Sequence, residues 1–191
     1  SKIIVGNTEL FSSSAPNDKY DYISTSQIDA LKYIKIEKEP TKQTTQIRIG
    51  ASTTIADVYE FCRKDQTGNR VLRALKERIA VFASNQTRSV ACIAGNIVAA
   101  GASTDFTNFL PGVDATLMVV DAETGKNRRV KFDNFFLGRF KTILRETDII
   151  TEIVIDIDSI SGNVGKEEDH CFVYKVSNRR EICGCLLSAT I

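Results

Sequence analysis

The sequence predicts an α+β domain, in which two amphipathic helices lie among many strands and most strands come in the second half of the chain. The chain has 191 residues, of which 42% are apolar and 26% are charged. That apolar fraction is ordinary for a folded domain and too high for a disordered chain. A chain of this length usually forms one domain, which buries about 70% of its unfolded surface.

The charge balance excludes two classes of partner. With 25 basic and 24 acidic residues the net charge is +1, whereas proteins that bind nucleic acid or a membrane surface usually carry a basic excess. No apolar run approaches the ~18 residues of a membrane-spanning helix, and the first residues do not read as a secretory signal. A strand at each end of the chain indicates a piece cut from a longer protein, and neat trimming of one domain is the alternative.

The cysteines are interpreted as reduced thiols rather than as a metal centre. Their number is odd and their spacing irregular: Cys62, Cys92, Cys171, Cys183 and Cys185. The close pair, Cys183 and Cys185, would point to opposite faces of a strand. His170 alone does not complete a zinc or iron–sulfur site and is assigned no role.

Three short strands are expected in the first quarter of the chain: residues 2–5, 31–37 and 46–50. The first is an apolar run that we expect to be buried, and a turn at Gly6-Asn7 follows it. A polar, turn-rich segment over residues 11–19 reads as a loop. In the third strand, Ile47 and Ile49 alternate with polar residues, which is typical of a half-buried strand.

Two helices are expected next. Ser52-Thr53-Thr54 offers an N-cap for the first, in which the apolar residues recur at helical spacing: Ile55, Val58, Tyr59 and Cys62. The second, over residues 70–83, carries an apolar stripe: Leu72, Leu75, Ile79 and Phe82. Its charged residues, Arg78 among them, are expected largely on the opposite, exposed side.

The remaining pattern predicts five strands: residues 114–121, 127–132, 149–157, 171–176 and 183–191. The first two flank residues 123–126, which have the composition of a hairpin turn. In the third, Ile149, Thr151 and the later isoleucines are expected on one face, with Glu152 and Asp156 on the other. A charged turn at Asn178–Glu181 separates the last two.

Two Gly-Asn turns are candidate ligand sites. The first closes the segment Ile3-Ile4-Val5-Gly6-Asn7-Thr8-Glu9-Leu10. Glycine permits a positive φ and a close ligand approach, and free N–H groups after a strand suit a phosphate. Side chains of Asn7 and Thr8 could add hydrogen bonds. The segment matches neither the GxGxxG nor the GxxxxGK[ST] pattern, and a plain turn is the alternative.

The second candidate lies in Ser89–Ile97 and centres on Cys92-Ile93-Ala94-Gly95-Asn96. Its small residues would let a flat or anionic ligand reach the backbone. Asp105 follows nine residues after Asn96 and could accept hydrogen bonds from ribose or ribityl hydroxyls, although tight packing with Asp105 as a helix cap is the alternative. Phe82 could stack on a ring or lie in the core.

Four segments carry a family resemblance. Residues 4–10 read IVGNTEL and residues 81–108 read VFASNQTRSVACIAGNIVAAGASTDFTN; residues 135–142 read FFLGRFKT and residues 174–181 read YKVSNRRE. In this order they resemble the two flavin signatures, the FFxGYRKT segment and the FKQASRRED segment of the FAD-binding domain of the xanthine dehydrogenase and aldehyde oxidase family. This family comprises the molybdenum hydroxylases, and the GNTE form resembles its eukaryotic members.

The resemblance implies a fold of the PCMH, or molybdopterin-dehydrogenase, type. It divides the chain into two α/β subdomains, residues 1–52 and 53–169, and the start of a C-terminal subdomain, residues 170–191. A strand and a helix ahead of Lys2 would be missing. FAD is the implied cofactor, and no catalytic residue or metal ligand is assigned.

The resemblance also assigns cofactor-binding residues. Ile3 to Leu10 would wrap the pyrophosphate, and Phe82 would pack near the flavin. Residues Cys92, Ile93, Ala94, Gly95 and Asn96 would line the second phosphate and the ribityl chain. Asp105 would hold cofactor hydroxyls. Ile150 and Lys175 would border the isoalloxazine ring.

The implied function is electron relay. In the family, a molybdenum centre oxidises a purine or an aldehyde, and electrons pass through two [2Fe–2S] clusters to FAD and then to NAD or oxygen. The molybdopterin and iron–sulfur domains would belong to the same parent chain, which would be a homodimer in the cytoplasm or the peroxisome. The loop Asn178–Glu181 would lie near the flavin, where access of the acceptor is controlled.

Departures from the family pattern leave two alternatives open. Cys92 stands where the family has Ser or Thr, Ala94 stands where it has Gly, and Ile182-Cys183 replaces an acidic pair. A degenerate flavin domain that acts as a non-catalytic scaffold is one alternative, and a stand-alone flavin reductase or oxidase subunit is the other. Xanthine and aldehyde substrates are not distinguished.

Overall fold

The computed structural model describes residues 2–8, 21–101, 103–158, 171–178 and 182–190. Its strands are β1 (Lys2–Ile4), β2 (Tyr22–Ser24), β3 (Ile34–Lys38), β4 (Thr45–Gly50), β5 (Thr116–Asp121), β6 (Asn127–Lys131), β7 (Phe136–Gly138), β8 (Lys141–Thr142), β9 (Asp148–Asp156), β10 (Val173–Asn178) and β11 (Ile182–Thr190). Its helices are α1 (Ile55–Lys64), α2 (Arg70–Ala80), α3 (Asn85–Arg88), α4 (Ile93–Val98) and α5 (Phe106–Gly112), with a 3-10 turn over Asp29–Leu31. The α+β prediction is confirmed.

A five-stranded antiparallel sheet forms the centre, in the order β3-β4-β9-β5-β6. Strand β9 lies between β4 and β5, so it joins an early and a late part of the chain. Strand β4 lies in the predicted subdomain 1–52, and β9 lies in the predicted subdomain 53–169. The boundaries of these subdomains stay a prediction. Three pairs of strands lie outside this sheet: β1-β2, β7-β8 and β10-β11.

Side-chain caps start the two longer helices, α1 and α2. Thr54 Oγ1 accepts a hydrogen bond from the N–H of Asp57 at 3.1 Å, which satisfies one of the free donors at a helix start. Asn69 Oδ1 does the same for the N–H groups of Val71 and Leu72. The predicted N-cap over residues 52–54 is therefore confirmed at Thr54.

The side chain of Arg78 is buried, and its predicted exposure is wrong. It is 0% exposed on helix α2. The helical period explains this, because position 78 lies three residues after Leu75 and four before Phe82, within the apolar stripe. The side chain is held there by polar partners, namely the main-chain carbonyl of Asp105 and the hydroxyl of Ser188.

A β-bulge in β9 changes which residues face the core. Val119 lies opposite Ile150 rather than Thr151, so the register shifts by one residue. Ile150 therefore shares the buried face with Ile153, whereas Ile149 is only half-buried. The prediction of one unbroken alternation from Ile149 is wrong, because the extra residue of a bulge reverses the direction of the side chains that precede it.

The N-terminal strand is short and half-exposed rather than buried as predicted. Its partner in the described residues is β2, which runs parallel to it, and Ile3 is 44% exposed. Several predictions lie outside the described residues: those on Glu9, Leu10, the loop 11–19, His170 and Arg179–Glu181.

A buried polar network lies on the face of the sheet that carries Arg48. Glu152 is 5% exposed, although it was predicted on a polar face. Its Oε1 accepts hydrogen bonds from Tyr33 Oη at 2.5 Å and from Arg48 Nε at 2.9 Å, and its Oε2 accepts one from Arg48 Nη2. Burial, and then the hydrogen bond to Glu152, raise the pKa of Tyr33 to about 12.

Replacement of Tyr33 by phenylalanine is expected to reduce the fall in the free energy of unfolding that occurs as the pH rises above about 10. The unfolded tyrosine ionises near pH 10, whereas the folded one stays protonated up to a pKa of about 12. Its contribution to stability is therefore complete below pH ~10 and is lost as the pH rises through ~12. Urea unfolding at pH 8 and pH 11 checks this, and an equal loss in both proteins would contradict it. Tyr59→Phe, on helix α1, is the matched control.

Candidate functional site

The two predicted Gly-Asn segments lie directly against each other. Gly6 faces the backbone of Val90 and Ala91 so closely that a Cβ atom at position 6 would lie 1.8 Å from the Val90 carbonyl oxygen. Glycine is therefore required here by close backbone approach. The residue with a positive φ is Asn7, at 55°, and not Gly6 as predicted.

Thr25, which follows β2, and the stretch from Ser52 to Ile55 hold both segments in place. The N–H of Thr25 donates to the carbonyl of Ile4 at 2.9 Å, and the Thr25 hydroxyl lies 3.0 Å from that of Ser52. The N–H of Ile55 donates to the carbonyl of Ala91 at 2.8 Å. The end of β1 and the approach to α4 are thus fixed to one short stretch of chain.

The side chain of Asn7 offers an unused polar group at this contact. Its Oδ1 atom is buried and has no hydrogen-bond partner among the residues that the structure describes. Buried amides are rarely left unpaired, and a carboxamide can present either its oxygen, as an acceptor, or its NH₂ group, as a donor. A ligand with hydroxyl or phosphate oxygens would satisfy this amide in one of its two orientations. The site therefore fits the pyrophosphate and ribose of a dinucleotide such as FAD.

The second segment is a helix start rather than a turn, so the prediction of a second Gly-Asn turn is wrong. Gly95 and Asn96 lie inside α4, and Cys92 is its N-cap, with Sγ accepting from the N–H of Gly95 at 3.2 Å. Burial raises the pKa of the Cys92 thiol, which keeps it protonated. The Asn96 side chain accepts a hydrogen bond from the N–H of Phe106 at 3.1 Å and so helps to start α5.

Asp105 and Lys175 meet and form an ion pair. Lys175 Nζ lies 2.6 Å from Asp105 Oδ1, and the Lys175 side chain is 1% exposed. The same ammonium group donates to the carbonyl of Val81 at 3.3 Å. Arg78 Nη2 lies 3.8 Å from Asp105 Oδ1. Two cations therefore surround one buried carboxylate.

Four further predicted residues lie in the core. The Phe82 ring packs on that of Phe106, with centroids 5.7 Å apart. Ile150 lies in β9 opposite Val119, and α4 packs on this strand. Ile93 and Ala94 are buried in the same core.

Sequence reasoning missed the polar residues that support the site. Arg78 was expected on the surface, although its place in the apolar stripe was a readable signal. Thr25 and Ser52 support the end of β1, and Asn108 and Ser188 connect α5 to β11 through a hydrogen bond of 3.0 Å. No sequence pattern predicts these contacts, because the partners are far apart along the chain.

Two classes of site are not found in the described part of the chain. No group of three or more histidine, cysteine, aspartate and glutamate side chains there could hold a metal ion. Within the same residues, no helix has the length and apolar character needed to cross a bilayer.

The chain matches a known family over residues 1–155, described as the FAD binding domain in molybdopterin dehydrogenase. It is 29% identical over 187 residues to xanthine dehydrogenase/oxidase of Gallus gallus, a match that covers 94% of this chain and 13% of that protein. It is 27% identical over 161 residues to xanthine dehydrogenase of Oryza sativa subsp. japonica, which covers 81% of this chain and 11% of the relative. The chain thus spans a small part of these relatives.

Solved structures share the fold. The reconstituted CO dehydrogenase from Oligotropha carboxidovorans superposes with a TM-score of 0.77 at 18% identity, over 99% of this chain and 60% of the other. Quinoline 2-oxidoreductase from Pseudomonas putida 86 gives a TM-score of 0.70 at 18% identity, over 96% of this chain and 57% of the other.

The family match and the fold together confirm three predictions: the family, the PCMH-type fold and FAD as the cofactor. Molybdopterin and iron–sulfur clusters belong to other parts of the parent proteins in this family. Because the match covers most of its residues, the chain belongs to the FAD-binding domains of the molybdopterin dehydrogenase family and is of the xanthine dehydrogenase-like type.

Proposed function

We propose that this domain is the electron relay of a xanthine dehydrogenase-like molybdenum hydroxylase. FAD, when bound, accepts electrons and can pass them to NAD or oxygen. Three relatives named xanthine dehydrogenase or xanthine dehydrogenase/oxidase support this, because they match this chain over 81 to 94% of its residues. The proposal includes xanthine as the substrate of a homodimeric, cytoplasmic parent whose other domains hold molybdopterin and two [2Fe–2S] clusters.

The observation that carries the proposal is the contact between Gly6 and the backbone of Val90 and Ala91. It brings the backbone after β1 and the start of α4 to one place, as a ligand with two phosphates needs. The Asn7 amide, whose Oδ1 atom has no hydrogen-bond partner among the described residues, and the backbone N–H groups of this turn would bind the pyrophosphate. Asp105 and Lys175 would border the rest of the cofactor.

The departures at Cys92 and Ala94 fit an intact site better than a degenerate one. The Cys92 sulfur caps α4 as a Ser or Thr hydroxyl would, so the helix start is preserved. Ala94 is buried in the core, so its methyl group packs against protein. Neither change adds a charge or an unpaired polar group.

Reconstitution with FAD tests the proposal. We expect the folded chain to retain about one FAD through gel filtration and, after anaerobic reduction with dithionite, to regain its visible absorption when NAD⁺ or oxygen is added. Free FAD at the same concentration is the control, and the two acceptors are added separately to identify the natural one. A folded sample that retains no FAD would favour the scaffold alternative. Retained FAD that reacts with neither acceptor would contradict the relay.

A further inference from the structure

Arg78 connects three parts of the chain from a fully buried position on α2. Its Nε donates to the main-chain carbonyl of Asp105 at 2.8 Å, and its Nη2 donates to the same oxygen. Nη2 also donates to the hydroxyl of Ser188 on β11, at 2.6 Å. We call these contacts the Arg78 bridge. A guanidinium group can make them together because its donors form a rigid planar fork.

The bridge lies where the β10-β11 ribbon packs on the rest of the domain. Lys175 and Ser188 are paired across this ribbon, so their side chains share one face. On that face, Lys175 forms the ion pair with Asp105, and the Ser188 hydroxyl accepts the hydrogen bond from Arg78. Asn108 on α5 adds a hydrogen bond to the main-chain carbonyl of Ser188 at 3.0 Å. These three contacts are polar.

The outer face of the ribbon contributes little to this docking. Tyr174 and Leu187 point outward and are 63% and 61% exposed. A two-stranded ribbon is at most marginally stable in water by itself. The inner face also carries Val173, which packs on the hydrophobic core. The polar contacts of this face add directional restraints that fix the position of β10 and β11, and the Arg78 bridge is the most deeply buried of them.

We infer that Arg78 is a positioning residue of the FAD site, which couples docking of the β10-β11 ribbon to cofactor binding. It fixes the backbone of Asp105 and holds the ribbon that carries Lys175, so both predicted cofactor residues depend on it. This inference rests on the proposed function in one respect, namely that Asp105 and Lys175 border FAD. Docking of the ribbon by Arg78 is independent of that function.

The test compares Arg78→Met with Arg73→Met. Methionine keeps the length and apolar stem of the side chain but removes the donors. Arg73 lies on the same helix and is about half exposed, so Arg73→Met is the matched control. Amide hydrogen exchange of residues 171–178 and 182–190 is measured with and without FAD, and the dissociation constant for FAD is measured by quenching of flavin fluorescence.

We expect Arg78→Met to accelerate exchange in the ribbon and to raise the dissociation constant for FAD, each about tenfold or more, as loss of hydrogen bonds to a charged group implies. FAD is expected to slow exchange in the ribbon of the unmodified chain and of Arg73→Met, but not in Arg78→Met. Exchange in β4 and β9 should stay unchanged, which separates a positioning role from general destabilisation.

Two further results matter: whether Arg78→Met folds, and whether the unmodified chain binds FAD. If Arg78→Met does not fold, Ser188→Ala, which removes only the ribbon end of the bridge, must still accelerate exchange in the ribbon and weaken FAD binding. Ribbon exchange and FAD affinity that are unchanged in the folded variants would overturn the inference while the proposed function stands. Failure of the unmodified chain to bind FAD would instead contradict the proposed function, and exchange without FAD would still test docking by Arg78.

Discussion

Replacement of Gly6 by alanine is expected to abolish detectable FAD binding while the central sheet stays folded. The new Cβ would lie 1.8 Å from the Val90 carbonyl oxygen and 2.9 Å from the Ala91 nitrogen. Both are main-chain atoms, which cannot move aside by a change of rotamer, so the two segments must separate. Because β1 pairs with β2 outside the five-stranded sheet, the core does not depend on this contact. Valine at position 6 should have the same effect.

Gly101→Ala is the matched control for this prediction. A Cβ there would lie 3.4 Å from Thr104 Cγ2 and 3.6 Å from Phe140 Cε1, which are ordinary van der Waals distances. Fluorescence titration with FAD measures binding, and circular dichroism with thermal unfolding shows whether each variant is folded. Unchanged FAD affinity in Gly6→Ala would refute the assignment of this contact to the pyrophosphate.

The second large effect is expected for Glu152→Ala, which should lower the free energy of unfolding by about 3 kcal/mol. The change leaves the Arg48 guanidinium and the Tyr33 hydroxyl without the carboxylate that now accepts from both. The Arg48 side chain is only 28% exposed, so loss of the carboxylate leaves a largely desolvated charge, which is costly. Urea unfolding monitored by circular dichroism gives the difference.

An exposed ion pair provides the control for Glu152→Ala. Glu60 and Arg63 pair on the surface of α1, where both side chains are about half exposed, and Glu60→Ala should cost at most about 1 kcal/mol. The double variant Arg48→Met, Glu152→Leu should recover much of the lost stability, since apolar residues of similar volume often replace such a pair without loss. Equal costs for Glu152→Ala and Glu60→Ala would show that burial of the network is unimportant.

Local periodicity was sufficient to predict the elements that form the central core. Apolar spacing gave α1, α2, β4 and β9 within a few residues of their observed bounds, because each buries one face. Periodicity did not give the bulge in β9, which depends on pairing with β5. It also did not predict α4, because Gly95 and Asn96 are typical of turns, whereas here they lie in a helix that Cys92 caps and whose Ile93 and Ile97 are buried in the core.

The candidate site was predicted less completely than the fold. Family resemblance pointed to Gly6, Asp105 and Lys175 one by one, but not to the ion pair between the last two. That contact joins residues far apart in the sequence, and no local pattern encodes it. The assignment of these residues to FAD contacts stays a prediction, which the variants above address.

The kind of atom that lies against Gly6 determines which second mutations could restore FAD binding in the Gly6→Ala variant. Its neighbours in the contact are the carbonyl oxygen of Val90 and the backbone nitrogen of Ala91, atoms that every residue carries. A suppressor screen on Gly6→Ala should therefore yield no revertants from side-chain changes at positions 90 and 91. Revertants would have to shift the end of β1 itself, through its supports at Thr25 and Ser52.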